Sequence, residues 1–251
     1  NSVGVQVIML VEDSIRFYSS LLPHLYKYVF IQSRSFMTEA LNEHEQMLRM
    51  RGRPKILMAR SYEEAMTIYS RYKKNMLGVI TDVSYTKNGV KNQLAGIELC
   101  QEIRKQDSYL PLIVQSTDVR NHPYADSVKA AFVHKLSKTP MLELRDIITN
   151  IFGFGDFIFI NPHTGDEEAR IGNLRGLQEI IFKVSDDSLY NHISQKNISR
   201  WLYSRAMFQL QEYLKNIKVD TQEKTDLPRV RQIIFDAIVT YRKIKNRGVV
   251  A

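Results

Sequence analysis

Five short apolar runs, separated by longer helical stretches, restrict what the first 153 residues of this chain can become. They are VQVIMLV (5–11), KILMA (55–59), LGVIT (77–81), LIVQ (112–115) and FVH (132–134). Alternation of this kind predicts a parallel sheet wrapped by helices, with five strands available. A long helical region runs from Ser14 to about Met50, is bent or interrupted near Pro23, and is ended by Gly52 and Pro54. The next helix opens on Ser61 and Glu64, the spacing of a capping box, and another opens at Thr139-Pro140, where the missing N–H of proline costs nothing.

At IFGFGDF (151–157) the pattern changes, and the domain boundary falls there: residues 1–153 form one domain and 154–251 a mainly helical C-terminal segment. FIFI and EEARI flank NPHTGD, a β-hairpin pattern with Gly165 in the turn. Beyond Asn173 the period is helical. Leu174, Leu177, Ile180 and Ile181 share a face, as do Ile198, Trp201, Leu202, Ala206 and Phe208, and a last helix over about 229–245 carries Ile233, Phe235, Ile238 and Tyr241. Core packing accounts for Trp201 and these stripes.

With 44% hydrophobic residues the chain can bury a real core, and 11 glycines, 7 prolines and no repeat or low-complexity tract argue against disorder. The single Cys100 lies in apolar IELCQEI, which suits a buried thiol and excludes a disulfide scaffold. Val5–Val11 has no basic flank and runs into Glu12 and Asp13, so it is neither signal peptide nor membrane span, and a cytoplasmic setting is expected. The chain starts at Asn1 rather than Met and stops at RGVVA, as a piece of something longer would. Its net charge of +8 is spread over both halves, 20 Lys and Arg against 15 Asp and Glu in residues 1–153 and 15 against 12 in 154–251. Without a block of like charge, a nucleic-acid partner is not expected.

Acidic residues stand where strands end: Glu12 and Asp13 after the first, Asp82 after the third. An open parallel sheet places its ligand site beyond the carboxyl ends of its strands, so the three carboxylates can converge. Their mutual repulsion calls for a hard, oxygen-preferring divalent cation such as Mg²⁺. Ser116 ends the fourth strand and Lys135 the fifth, adding a hydroxyl and a cation to the same rim. A carboxylate attacks phosphorus poorly, and its anionic target needs a metal and a fixed cation beside it. Taken singly, such acids are common helix caps and such Lys and Ser are usually solvated; their joint order is less ordinary.

These residues resemble the receiver domain of bacterial response regulators: VEDS matches its acidic pair, ITDV its phosphorylated aspartate, QST its Ser/Thr position and FVHK its lysine region, across 5–153. The resemblance implies a doubly wound α/β fold of flavodoxin-like strand order 2-1-3-4-5. It implies Mg²⁺ on Glu12, Asp13, Asp82 and the backbone carbonyl of Ser84, with Asp82 the phosphoacceptor, Ser116 the switch hydroxyl, Lys135 the phosphoryl-binding lysine and Phe132 the switch aromatic. Simple packing on the sheet edge explains Phe132 equally well. A sensor histidine kinase or phosphotransfer protein would supply the phosphoryl group, and a homodimer is a possible output. Over nearly its whole length the chain also resembles the N-terminal, receiver-carrying region of phosphoenolpyruvate synthase or pyruvate phosphate dikinase-like proteins, chiefly in EDSIRFYSSLLPHLY, RPKILMARSYEEA and SDDSLYNHISQKNISRWLYSRAMFQL. That likeness implies an attached C-terminal enzyme region regulated by the receiver, while this chain itself is no enzyme.

The chain departs from the receiver pattern in a longer first helix, an extended loop from Ser84 to Ala95, a short segment between Ser116 and Phe132, and Leu136 where proline usually follows the lysine. Two other functions compete. An aspartate-nucleophile phosphatase wants a second acid two positions after Asp82, where Ser84 stands, and a DNA-binding regulator wants a helix-turn-helix, for which ISQKNISRWLYSRAMF lacks a turn glycine. His192 in SLYNHISQK reads as a core or helix-surface histidine rather than a phosphotransfer group.

Overall fold

A computed structural model describes residues 5–37, 53–215 and 226–246. They form two compact units, one of 5–33 with 53–152, the other of 34–37 with 153–215 and 226–246.

In the first unit β1 (Val7–Val11), β2 (Lys55–Ala59), β3 (Met76–Asp82), β6 (Leu112–Ser116) and β7 (Ala131–His134) form one sheet in the order β2-β1-β3-β6-β7. Every pairing is parallel. This is the doubly wound α/β arrangement expected, with β6 and β7 as the fourth and fifth strands of the sheet. The central strands β1, β3 and β6 are buried almost throughout while the edge strands β2 and β7 are partly exposed, which is why the central runs read as unbroken apolar sequence. Helix α1 (Ile15–Met37), as far as Ser33, and helices α2 (Tyr62–Tyr72), α3 (Ala95–Gln106), α4 (His122–Ser127) and α5 (Pro140–Ile151) complete the unit.

Helix α1 runs through Pro23 without a break. Pro23 and Ser19, whose carbonyl loses its usual donor, both lie on the exposed face, so water can take the donor's place, while Leu21, Leu25 and Val29 bury the other face. The rest of the predicted helical region, 38–50, and Gly52 lie outside the described residues. Ser61 caps α2 by accepting the Glu64 N–H at 3.2 Å, and in return the Glu64 carboxylate accepts the N–H of Arg60 at 2.7 Å rather than that of Ser61. The extended loop after Ser84 is a β-hairpin: β4 (Tyr85–Lys87) pairs antiparallel with β5 (Val90–Asn92) across Asn88-Gly89, whose φ values of 51° and 75° suit a primed two-residue turn.

The second unit has the expected hairpin, β8 (Phe157–Ile160) with β9 (Glu167–Ile171), and Gly165 has a φ of 78° in its turn. Helices α6 (Leu174–Ile180), α7 (Asp186–Ser194), α8 (Asn197–Ser204), α9 (Phe208–Lys215) and α10 (Leu227–Asn246) follow. Leu177, Ile181, Leu189, Trp201, Leu202, Ile234 and Ile238 build its core with Phe157 and Phe159. The stripe expected from Ile198 to Phe208 is broken: Ala206 adopts a φ of 57° between α8 and α9, so only Ile198, Trp201 and Leu202 share one buried helical face. In α10 the fully buried face is Leu227, Val230, Ile234 and Ile238, with Ile233, Phe235 and Tyr241 half-buried at its flanks.

Among the described residues no helix is long and apolar enough to cross a membrane.

Candidate functional site

Because β1 and β3 are neighbouring parallel strands, their carboxyl ends deliver Glu12, Asp13 and Asp82 to one edge, where one ligand oxygen from each lies within 4.8 Å of the others. Lys135 closes the group. Its backbone N–H continues the β6–β7 ladder onto the Ser116 carbonyl at 2.8 Å, and its Nζ stands 2.5 Å from Glu12 Oε2 and 3.0 Å from Asp82 Oδ2. The Lys135 ammonium also lies 4.3 Å from the centre of the Phe17 ring in the first turn of α1.

The members differ in access. The side chains of Glu12 and Lys135 are 1% and 5% exposed, while those of Asp82 and Asp13 are 17% and 26%, so Asp82 and Asp13 are the carboxylates open to solvent and Glu12 is not. Burial pushes the Glu12 carboxyl above the usual range; the Lys135 charge pulls it back and the nearby Asp82 raises it further. Asp82 is held by the Val83 N–H, 2.8 Å from Oδ1, while Lys135 holds Oδ2. A carboxylate gripped at both oxygens has one orientation, and that orientation is set by backbone as well as by charge.

Gly96 is a residue that sequence reading missed. Its N–H donates to the Val83 carbonyl at 2.9 Å, and a Cβ there would stand 1.9 Å from the Asp82 carbonyl oxygen, so only glycine permits the approach of α3 to the end of β3.

Ser116 Oγ accepts the Asp118 N–H at 3.0 Å and the Asn121 side-chain N–H at 2.9 Å. Both acceptor positions of the hydroxyl are thus engaged, which leaves its proton to offer. Phe132 is half-buried against the core and stacks on His122 with ring centres 4.9 Å apart, a packed position beside the rim. Leu136 is exposed, and the peptide bonds of the described residues are all trans.

The Ser84 carbonyl accepts a hydrogen bond from Lys91 Nζ at 2.9 Å, and the same ammonium bonds Asp13 Oδ2 at 2.7 Å. Lys91 was not singled out in the sequence; the Asn88-Gly89 pair was the available signal for the hairpin that carries it. Three carboxylates and one carbonyl make an all-oxygen donor set with the hardness that Mg²⁺ prefers, so the residues fit such an ion.

Two other singled-out residues lie away from the rim. Cys100 is fully buried and its thiol is pushed up to about 12 by that burial, so it is inert packing. His192 is buried in the second unit, where Nε2 accepts the Ile160 N–H at 3.0 Å and the Asn197 side-chain amide lies 3.1 Å from Nδ1. Burial pushes it down to about 4, which fixes it as a neutral structural imidazole.

No protein-family model matches the chain, and no curated protein matches it. Solved structures do. A response regulator receiver domain protein from Clostridium thermocellum is 19% identical, covering 59% of this chain and 94% of its own, with a TM-score of 0.40. The response regulator TrrA from Thermotoga maritima, in complex with Mg²⁺ and BeF, is 17% identical over 57% of this chain and 99% of its own, TM-score 0.36. A phosphorylated cyanobacterial phytochrome response regulator, RcpA, is 14% identical over 66% and 99%, TM-score 0.37. The fold assignment stands on the strand order and registers given above.

Proposed function

We propose that this chain is a signal-receiving module in which residues 1–153 form a receiver whose Asp82 accepts a phosphoryl group, with residues 154–251 as a C-terminal segment that the modification influences. The observation that carries this reading is the convergence of Glu12, Asp13 and Asp82 with Lys135 lodged between Glu12 and Asp82. Glu12, Asp13, Asp82 and the Ser84 carbonyl are the groups that would hold Mg²⁺. When bound, that ion supplies positive charge to offset the phosphoryl oxygens.

Each residue has a defined task. An Asp82 carboxylate oxygen forms the new bond to phosphorus while the donor's bond to phosphorus breaks, its electron pair leaving with the donor. Val83 N–H orients the nucleophile, and Lys135 exchanges part of its contact with Asp82 for a phosphoryl oxygen. Ser116 donates its hydroxyl proton to another phosphoryl oxygen. Movement of Ser116 would loosen the Asp118 and Asn121 contacts and so reach the Phe132–His122 stack, which is the switch role assigned here to Phe132.

The donor in this reading is a sensor histidine kinase or phosphotransfer protein. Regulation of an attached phosphoenolpyruvate synthase-like enzyme rests on the sequence resemblance alone, and a second copy of the chain is the other candidate for the output.

Intact-mass spectrometry of the chain treated with phosphoramidate and Mg²⁺ tests the proposal. The wild type should gain one phosphoryl group and Asp82→Asn none; an equal gain in the variant, or a modification mapped to another residue, defeats it.

A further inference from the structure

We infer that Lys91 is a built-in competitor for the metal: its ammonium holds two of the four groups that would bind the divalent cation, and the ion binds only by displacing it. The inference rests on the reading of Glu12, Asp13, Asp82 and Ser84 as a Mg²⁺ site.

Lys91 Nζ lies 2.7 Å from Asp13 Oδ2 and 2.9 Å from the Ser84 carbonyl oxygen. An ion bonded to the same Asp13 oxygen at about 2.1 Å would stand within about 5 Å of that ammonium, where the two cations repel and draw on the same oxygen lone pairs. Lys135 contacts the other two groups, Glu12 Oε2 and Asp82 Oδ2, so Lys91 is the cation set against Asp13 and the Ser84 carbonyl.

The position of Lys91 is built rather than incidental. Cross-strand pairing sets Lys91 opposite Thr86, and Thr86 in turn forms a parallel bridge with Ser61 at the start of α2. The hairpin tip is fixed by the Asn88 N–H, which donates to the Glu63 carboxylate at 2.8 Å. Lys87 forms an ion pair with Glu98 of α3 and sits 4.3 Å over the Tyr62 ring. At its base Tyr85 is fully buried, and burial holds its phenol well above the ordinary range. A hairpin secured at its tip, middle and base presents one cation to the carboxylate rim and keeps the other, Lys87, away from it.

The consequence is a site whose metal affinity is set by a residue of the insertion. Since an ion pair as exposed as this one contributes up to about 1 kcal/mol, removing it should tighten divalent binding about fivefold. Isothermal titration of the full chain with Mg²⁺, with Mn²⁺ electron paramagnetic resonance as a second probe, measures this directly. Lys91→Met, which keeps the apolar stem, should bind about fivefold tighter than wild type, while Lys105→Met, which removes an exposed cation away from the hairpin, should not change affinity. Lys91→Gln provides a second substitution should Met perturb the hairpin. Equal or weaker affinity in both Lys91 variants, with Asp13→Asn losing the metal, overturns the role of Lys91 and leaves the site standing. Absence of binding in wild type and both Lys91 variants removes the metal site itself, and the inference with it.

Discussion

The charge buried deepest in each unit is held differently. In the first, Glu12, Asp82 and Lys135 are paired with one another at the end of a sheet, so their partners are side chains that a ligand could replace. In the second, charged and titratable side chains are tied to backbone. Arg205 donates to the carbonyls of Gly153 and Gly155 at 2.7 and 2.9 Å while its guanidinium lies 4.1 Å over the Trp201 ring. Arg231 donates to the carbonyls of Ile181 and Val184 and to Asp186, capping the end of α6 and joining it to the start of α7. The lesson is that burial alone does not mark a functional group. A buried charge whose partners are backbone atoms supports the fold; one whose partners are other charges at an accessible edge is available for chemistry.

The comparison breaks most visibly at Arg231. Arg231→Ala would leave two buried carbonyls without their donor, and at 1–3 kcal/mol for each such group the second unit should lose about 4 kcal/mol. Urea unfolding followed by the emission of Trp201, the single tryptophan, reads that loss. A change under about 1 kcal/mol would mean these contacts are not structural.

His192 provides a pH-dependent version of the same test. Its folded-state value of about 4 lies below its ordinary 6.5, so the neutral ring's contribution is fully present above pH 6.5 and is lost as pH falls towards 4, where the unfolded chain takes up the proton first. That difference corresponds to about 3 kcal/mol lost across the window. A His192→Asn variant should show a flatter dependence of Trp201-monitored stability over the same range; identical slopes would refute the assignment.

The smallest effect is expected at the rim. Ser116→Ala removes the acceptor for the Asp118 N–H and the Asn121 amide, and should cost about 1 kcal/mol. If the proposed function holds, phosphorylation of Asp82 should persist in this variant, seen as a mass gain of one phosphoryl group, because the role proposed for the hydroxyl is to hold the product rather than to perform the attack.

Sequence reading located all five strands of the parallel sheet because buried parallel strands are continuous apolar runs. It located Glu12, Asp13, Asp82 and Lys135 because residues at the carboxyl ends of such strands share one edge. It missed the β4–β5 hairpin, whose strands are three residues each and carry Thr, Lys and Asn, so that no hydrophobic period announces them. It misjudged the α8–α9 junction because Ala206 adopts a positive φ without being glycine, leaving no punctuation to read. Lys91 was beyond reach for a different reason: its significance is its distance to Asp13, 78 positions away, and only the folded chain supplies that.

The tie between Gly96 N–H and the Val83 carbonyl has one more consequence. It closes the neck of the hairpin on the sheet side of Ser84, so the ends of the excursion meet regardless of what the chain does between them. Loop-closure entropy grows only slowly with length once the ends are fixed. The exposed tip from Asn88 to Val90 is therefore a docking port in the engineering sense, a place where chain can be lengthened or exchanged while Asp82 and the buried Tyr85 keep their positions.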